Sequence, residues 1–589
     1  MYLRTTRRRN ADGSEVRYYQ LAENEWNPDK RCAVAKVIYN FGRADQLDVD
    51  KLRRLAKSIL RAVSGEDQLM TQVQAQAAAT GEPEVRLRDA WPFGGVYVLQ
   101  QLWKELEIDD VLRSSLRQSG VKQPFDTALF AMVANRALQP SSKLYCFDQW
   151  LREDVFLPGA RQLELQHLYR AMDFLEDNKE QVEKAVFFSV ADLMNADVDV
   201  IFYDTTSLHF EVEQEDDVDM EHHDRDYEPL RKRGHSKNGR GDAPQIVVGL
   251  AITRDGLPVR SWVLPGNTAD ITTVERVKND LRGWRLGRCV FVGDAGMNSE
   301  QNRRTLALGG GKYILASRIR AGDEVTTDVL RRPGRYRTVA GNLRVKQVIV
   351  GDGARQRRYV VCHNPDEQTR QQRHRAKLLD EVQAELAAMK PSARGHSKRM
   401  CELLSSARFG RYLKESKGGL VVNWRAVRDA ERFDGKWVIT SNDDTLTPED
   451  LALGYKQLLR VEQCWRQLKG GVRMRPVFHR RPWRIQAHVT ISVLALLLER
   501  IVEIRTGMTW RNVRDELQAL KVVEYDRGDA RIQQTTELRF TASELLHKLG
   551  VPPPPKLHSV LPVPKNETDR VEQFDADFAP AHAGSPADA

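Results

Sequence analysis

Two short apolar segments of the chain each run into an aspartate: residues 198–207 read VDVIFYDTTS, and residues 289–297 read CVFVGDAGM. The residues before each aspartate are mostly β-branched or aromatic, which predicts two strands. The second run has no polar interruption, as in a central strand that is covered on both faces. We therefore predict that Asp204 and Asp294 lie at the C-terminal ends of two strands.

The ordinary role of an aspartate after a strand is to cap a turn or a helix. After Asp294, however, Asn298 and Gln301 already provide a cap and a capping-box partner for the next helix. After Asp204, no helical pattern begins for many residues. Capping therefore leaves both carboxylates without a role, and a catalytic role stays open for them.

A third acid, Glu462, lies in the segment Pro448–Lys469, which shows helical periodicity. The segment carries an apolar stripe with helical spacing, formed by Leu458, Val461, Trp465 and Leu468. At about 100° per residue, Tyr455, Glu462 and Lys469 stack on one line beside this stripe. An i,i+4 ion pair with Arg466 is the alternative role of Glu462.

Three acids carried by two strands and a helix can converge on two divalent ions roughly 3.5–4 Å apart, the arrangement of in-line phosphoryl transfer. Carboxylate oxygens are hard ligands, so we predict two Mg²⁺ or Mn²⁺ ions held by Asp204, Asp294 and Glu462. The sequence has no HExxH motif or Cys/His pair that would indicate a zinc hydrolase. His222 and His223 lie in a charged loop and are not expected to bind metal.

The segment 455–469, YKQLLRVEQCWRQLK, resembles the Tyr-x2-Arg-x3-Glu-x6-Lys signature of one group of DDE transposases of bacterial insertion sequences. The two aspartate segments and PGNTAD at 265–270 resemble other landmarks of the same group, so the likeness covers about residues 195–505. It implies a ribonuclease H-like catalytic core, Mg²⁺-dependent cleavage at terminal inverted repeats and strand transfer into target DNA. Bringing two element ends together would need at least a homodimer.

The same resemblance implies that Tyr455 and Lys469 hold phosphates near the cut end. The arginine of the signature is replaced here by Leu458, which belongs to the apolar stripe. Arg466 lies near the face of Glu462 and is the candidate to replace that arginine.

The chain is interpreted as an α/β protein with a ribonuclease H-like mixed sheet, flanking helices, a β-rich insertion and a helical N-terminal module. The predicted segments are an N-terminal accessory domain that could bind DNA (1–90), a helical domain (91–195), the first part of the core (196–318), the insertion (319–440), the second part of the core (441–525) and a C-terminal segment with a disordered tail (526–589).

The average charge of the chain is only weak support for a polyanionic partner, with 91 Lys and Arg against 82 Asp and Glu and a formal net charge of +9. Local clusters matter more, because phosphates are neutralised by nearby cations. Such clusters occur at 231–233 and 473–484, and we predict Arg233, Lys237 and Arg473 as further DNA contacts. A solvated charged face is the alternative for any one cluster.

Six cysteines without a CxxC pair and an N-terminus without an apolar stretch predict a reducing cytoplasm. The resemblance to insertion-sequence transposases implies a bacterial protein that associates with the nucleoid. No membrane is expected. The most apolar segment, Ala487–Ile504, is interrupted by polar and charged residues, which suits a helix inside a protein.

The predicted function is that of a DNA transposase, which cleaves element ends and joins them to double-stranded target DNA. The first alternative is a ribonuclease H-like nuclease that does not join DNA, because a metal site alone does not distinguish water from a DNA hydroxyl as nucleophile. The second is a non-catalytic DNA-binding protein derived from a transposase. The intact set of three acids argues against the second.

Overall fold

The computed structural model describes residues 2–9, 15–27, 32–43, 85–193, 199–237, 239–284, 286, 289–319, 323–353, 356–388, 398–416 and 419–563. The chain divides into two compact units. Unit 1 comprises Met1–Arg88, Glu524–Gln533 and Ser559–Ala589, and unit 2 comprises Asp89–Val523 and Gln534–His558.

A nine-stranded mixed sheet forms the centre of unit 2. Its strands are β1 (Val200–His209), β2 (Gln245–Ile252), β3 (Pro258–Pro265), β4 (Val290–Gly293), β5 (Lys312–Ser317), β6 (Arg337–Ala340), β7 (Leu343–Val350), β8 (Arg357–His363) and β9 (Lys436–Ser441). The spatial order is β6-β7-β8-β9-β5-β4-β1-β2-β3. Strands β1, β4 and β5 are parallel, while β2 and β3 are antiparallel to their neighbours. The order β3-β2-β1-β4-β5 with these directions is ribonuclease H-like, and the predicted fold class is confirmed.

The two faces of the sheet have separate hydrophobic cores, because successive side chains of a strand point to opposite faces. Ile201 and Tyr203 belong to the core on one face, and Phe202 belongs to the larger core on the other. Asp204, two residues after Phe202, is therefore directed to the face of the larger core.

Five helices matter for the site: α1 (Asp270–Gly283), α2 (Glu300–Ala307), α3 (Pro448–Lys456), α4 (Leu459–Gly470) and α5 (Pro482–Thr506). Apolar residues of α1 pack in the smaller core, whereas those of α4 and α5 pack in the larger one. The sheet is thus covered on both faces.

The predicted helical segment 91–195 contains the longer helices Gly94–Glu105, Ile108–Gln118, Phe125–Leu138, Cys146–Asp154, Leu165–Asp177 and Lys179–Leu193. Helix α5 contacts three of these helices, namely Gly94–Glu105, Phe125–Leu138 and Leu165–Asp177, as well as β3. Because α5 lies between them, the helical segment and the sheet share one hydrophobic core. Two more helices of unit 2 are Trp510–Leu517 and Phe540–Leu549.

The predicted β-rich insertion, residues 319–440, contributes four strands to the central sheet itself. Strand β9 pairs antiparallel with β5 on one side and with β8 on the other. The part of the insertion outside the sheet is mainly helical and consists of Pro365–Ala388, Lys398–Ser405, Trp424–Glu431 and a hairpin of Leu413–Ser416 with Gly419–Val422.

Unit 1 contains a three-stranded antiparallel sheet of Tyr2–Arg9, Glu15–Asn27 and Cys32–Arg43. Four further strands pair in the order Leu557–Pro562, Ala530–Thr535, Lys521–Arg527 and Val85–Pro92. Within unit 1, Asp526 accepts hydrogen bonds from Arg88 and Arg531 at 2.7 and 3.0 Å, so part of the predicted C-terminal segment joins the N-terminal domain. The predicted disordered tail lies outside the described residues.

Among the described residues, α5 is the one helix long and apolar enough to span a bilayer, and 89% of its most apolar window is buried inside the protein. Burial of this kind is typical of a core helix, as the sequence predicts.

Candidate active site

The register of the parallel strands β1 and β4 brings Asp204 and Asp294 side by side. Val290 is opposite Val200 and Val292 is opposite Phe202. Two residues further along, the same register places Asp294 opposite Asp204. Because side chains two apart share a face, both carboxylates continue the row of Val292 and Phe202.

Asp204 does not end its strand, and the prediction that it does is wrong. Strand β1 continues to His209 because it keeps its antiparallel partner β2, with Asp204 opposite Leu250. Its pairing with β4 is recorded only as far as Phe202. Asp204 therefore stands where β1 loses one neighbour, which leaves room for a carboxylate beside the end of β4.

The carboxylate of Asp204 is partly buried and lies in a field of mixed charge. Its Oδ2 accepts a hydrogen bond from the indole Nε1 of Trp465 at 3.2 Å, which ties it to α4. Burial raises the pKa of Asp204 to about 6, the positive charge of Lys237 opposes this, and the negative charges of Asp294 and Asp270 add to it. The site thus concentrates negative charge.

Asp294 has a turn role that capping arguments from the sequence did not reveal. Its Oδ1 accepts hydrogen bonds from the backbone N–H groups of Gly296 and Met297 at 2.9 and 3.2 Å. The cap of α2 is Ser299, whose hydroxyl accepts from the backbone N–H of Asn302 at 3.1 Å, so the predicted cap at Asn298 is wrong.

Gly296 leaves space for two acids at once. A Cβ at this position would lie 3.1 Å from Oδ1 of Asp294 and 3.4 Å from Oδ2 of Asp270. A larger residue would therefore push these two carboxylates apart by a few tenths of an ångström.

The helix predicted from Pro448 to Lys469 is interrupted, so the expectation of one continuous line of residues is wrong. Helix α3 begins after Thr447, whose hydroxyl accepts from the backbone N–H of Asp450 at 3.1 Å. Helix α3 ends at Lys456, and i→i+3 hydrogen bonds follow, such as that from Leu458 N–H to the carbonyl of Tyr455 at 2.9 Å. Such a tighter turn rotates each residue by about 120° rather than 100°. The seven-residue spacing therefore holds only within α4.

Glu462 lies in the first turn of α4 and is exposed. The buried residues of α4 include Val461, Trp465 and Leu468, so the predicted apolar stripe does face the core. Glu462 is the next residue after Val461 and stands beside this stripe.

Tyr455 lies within the electrostatic range of all three acids. Burial raises the pKa of its phenol above the usual range, and the negative charges of Asp294, Asp204 and Glu462 raise it further. We call Asp204, Asp294 and Glu462 the acid cluster. Within the described ranges, no group of three His, Cys, Asp or Glu side chains is close enough to hold a single ion. In this structure the three carboxylates of the acid cluster therefore do not form a closed metal site.

Lys469 and Lys237 supply positive charge beside the acid cluster. Lys469 Nζ donates to the hydroxyl of Thr206 at 2.6 Å. Burial lowers the pKa of Lys469, as do the charges of Arg475 and Lys237, while Asp204 raises it. Lys237 and Lys469 therefore partly offset the negative charge of Asp204.

The role of Asp270 was not predicted from the sequence, in which it was noted only as the last residue of the PGNTAD segment. Its carboxylate accepts a hydrogen bond from the Thr205 hydroxyl at 2.5 Å and forms an ion pair with Lys237 at 2.9 Å. Lys237 Nζ also donates to the carbonyl of Thr205 at 2.8 Å. The signal was present in the sequence, because Asp270 follows a Pro-Gly turn and opens helix α1. Asp270 thus joins the residue after Asp204 to one of the two lysines.

The other predicted DNA contacts lie in different surroundings. The side chain of Arg233 donates to the carbonyls of Glu213 and Asp242 at 2.6 and 3.3 Å, which holds it in its own loop. Arg473 is exposed, and its carbonyl accepts from Nη1 of Arg136 at 3.0 Å. Arg466 is exposed.

Arg466 lines a groove with Gln463 and Arg500, and the structure records no ion pair between it and Glu462 among the described residues.

His222, which was not expected to bind metal, stacks on Trp483 with 4.2 Å between ring centroids. A cavity of about 650 Å³ adjoins the acid cluster and is lined by Lys237 and Asp270 among others.

Family models match two parts of the chain. The Transposase DDE domain matches residues 200–498, and the N-terminal domain of the IS1634 family transposases matches residues 3–70. A search of curated proteins found no match. A solved structure titled as a piggyBac transposase synaptic complex with hairpin DNA is similar over 84% of this chain and 87% of that chain, with 10% identity and a TM-score of 0.34. At that score the likeness carries no weight for function.

Proposed function

Since the chain belongs to the transposases with a DDE domain, we propose that it cleaves DNA at the ends of its mobile element and joins them to target DNA, using divalent metal held by the acid cluster. The observation that carries this proposal is the register of β1 and β4, which aligns Asp204 with Asp294. Family membership favours this function over a nuclease that does not join DNA.

The donor set of the acid cluster fits Mg²⁺ or Mn²⁺. All three side chains offer hard oxygen ligands. The pKa of Asp204 is raised to about 6 by burial and then by the negative charges of Asp294 and Asp270, in spite of Lys237. A cation between the strand ends would relieve this repulsion. Asp204 and Asp294 would hold it from the sheet, and Glu462 would complete the ligand set from α4.

Divalent metal in this site would lower the pKa of the attacking water or 3′-hydroxyl and stabilise the leaving oxyanion. The protein's own residues orient these ligands. Trp465 holds Oδ2 of Asp204, and the turn after β4 holds Oδ1 of Asp294. Fixed ligands lose less freedom when DNA and metal bind.

Lys469 and Tyr455 are proposed to hold phosphates of the element end. Lys469 reaches Thr206, two residues after Asp204, so a phosphate near the reacting bond would lie within its charge field. Tyr455 lies in the field of all three acids, and the high pKa keeps its phenol protonated as a hydrogen-bond donor. Two copies of the chain would be needed to hold two element ends.

The test is cleavage of a duplex that carries the terminal inverted repeat, with Mg²⁺, by the wild type and by Asp294→Asn. The variant should bind the duplex and fail to cut it. Asp199→Asn is the matched control, because Asp199 is an exposed acid just before the same strand β1, paired with Arg254 at 2.9 Å. Cutting by Asp294→Asn at the wild-type rate would contradict the proposal.

A further inference from the structure

A second cavity of unit 2, of about 490 Å³, is lined almost entirely by cationic and neutral side chains. Five of its residues are Arg136, Lys143, Arg480, Arg481 and Arg484, and no Asp or Glu lines it within the described part of the chain. We call this cavity and its lining the cation pocket.

Two of these cations are buried. Arg136 is 6% exposed and Lys143 is 5% exposed. Arg136 uses Nη1 to hold the carbonyl of Arg473, but its buried Nε has no hydrogen-bond partner among the described residues. Buried cations are usually paired, because removing a charge from water is costly.

Among the described residues, no acid forms an ion pair with Arg136 or Lys143. Arg484 donates two hydrogen bonds of 2.7 Å to the carboxylate of Asp173, so the charges of that pair cancel. Cys146 lies near Arg136 and Lys143, but burial raises the pKa of its thiol to about 12 and keeps it uncharged. Arg136, Lys143 and their exposed neighbours thus leave the cation pocket with uncompensated positive charge.

The buried cations also repel one another. Burial lowers the pKa of Lys143 to about 7, and the charge of Arg136 lowers it further. Burial, Lys143 and Arg136 together lower the pKa of His479 to about 3, so this lining residue stays neutral. An anion in the pocket would restore the charge of Lys143.

Helix α5 adds to the positive potential. It has 25 residues, begins at Pro482, and its N-terminal residues Arg481 and Arg484 line the cation pocket. The N-terminus of a helix of this length carries partial positive charge, which favours an anion such as phosphate.

The cation pocket is joined to the acid cluster by a short piece of chain. Residues 471–481 connect α4, which carries Glu462 and Lys469, to α5. Two carbonyls of this connection are held by lining residues of the pocket: that of Arg473 by Arg136 at 3.0 Å, and that of Met474 by His488 at 2.8 Å. A ligand of the pocket would therefore contact residues 471–481, the segment that follows α4.

We propose that the cation pocket binds a phosphate group, and that in the nucleoprotein complex this is a backbone phosphate of the bound DNA. DNA is the partner of the family, and this inference does not depend on the metal chemistry of the acid cluster. Exposed Arg480 and Phe478 at the pocket would lie beside the sugar-phosphate chain.

The test uses the full-length protein in excess chelator, so that failure of the metal mechanism does not affect it. The first measurement is binding of a 30-base-pair duplex across salt concentrations. Lys143→Met and Arg480→Gln should each lower the affinity several-fold at low salt, and each should reduce the slope of log K against log salt by about 0.9. Arg480 is exposed, so its variant keeps the test valid if Lys143→Met does not fold.

The matched control is Arg304→Gln, because Arg304 is exposed and paired with Glu300 at 2.6 Å. It should leave the salt slope unchanged. The second measurement is the thermal unfolding midpoint in inorganic phosphate against chloride at equal ionic strength. Phosphate should raise the midpoint of the wild type more than that of Arg480→Gln.

Two results would overturn the proposal. If phosphate stabilises the wild type but both pocket variants bind the duplex with unchanged affinity and slope, the pocket binds free phosphate and not DNA. If phosphate has no effect beyond chloride and the slopes are unchanged, it binds no phosphate.

Discussion

The acid cluster and the cation pocket both gather charges of one sign, but they differ in how the protein balances them. The acid cluster is open, and Lys237 and Lys469 stand beside it. The cation pocket contains two buried cations, Arg136 and Lys143, which have no acid to pair with in the described part of the chain. We therefore expect the acid cluster to accept metal cations and the cation pocket to accept an anion.

The largest expected effect concerns the acid side of this comparison. Asp204→Asn and Asp294→Asn should each reduce DNA cleavage about a thousandfold or more, because a lost metal ligand removes several kcal/mol of transition-state stabilisation. Single-turnover cleavage at saturating protein measures this. Wild-type turnover by either variant would remove that residue from the site.

The next effect concerns stability on the cation side. The pKa of Lys143 falls from 10.5 in the unfolded chain to about 7 in the folded protein, so between these pH values the unfolded chain binds more protons. Stability should therefore rise with pH from about 7 to 10.5, by up to roughly 5 kcal/mol from this group. Below pH 7 the cost of burying the charge is present in full.

Lys143→Met should remove this part of the pH dependence. The groups that face Lys143 here are Arg136, Cys146 and His479. The measurement is the free energy of unfolding by urea at pH 7 and pH 10, as a difference between wild type and variant. Equal pH dependence in both proteins would show that Lys143 is not a desolvated cation.

Much of the acid cluster could be predicted from the sequence because it depends on local patterns. Apolar runs mark β1 and β4, each contains or precedes an aspartate, and parallel neighbours align them. The extent of β1 beyond Asp204 could not be predicted, since its antiparallel partner β2 comes some 40 residues later. The break between α3 and α4 was also hidden, because the residues Lys456 to Arg460 at the break itself all favour helix.

The cation pocket could not be predicted from the sequence. Arg136 and Arg480 are far apart in the chain, and only the packing of α5 on the helical segment brings their elements together. Nor could the place of β9 be predicted, since its pairing with β5 and β8 is set by backbone hydrogen bonds across distant segments.

A smaller effect should follow from loosening the acid cluster without removing a ligand. Asp270→Asn breaks the ion pair with Lys237, and cleavage should fall about 10- to 100-fold, the usual cost of a residue that orients a ligand. Thr205→Val should have a similar effect, and the double variant should be little worse than either single one. Additive losses in the double variant would show that the two residues act separately.

The smallest effect is that of Lys469→Ala on DNA binding, and comparison with Glu462→Gln separates binding from chemistry on α4. Lys469→Ala should weaken binding of the element end a few-fold and reduce its salt slope by about 0.9, since one phosphate contact is lost. Glu462→Gln should keep or slightly tighten binding while cleavage is lost. An unchanged slope for Lys469→Ala, or cleavage by Glu462→Gln, would contradict these separate roles.

The most direct measurement is anomalous scattering from Mn²⁺ in crystals of the protein bound to its element-end duplex. We predict two manganese peaks between Asp204, Asp294 and Glu462, and their loss in Asp294→Asn. Crystals with DNA in place and no manganese at these three acids, or with manganese bound elsewhere, would contradict the account.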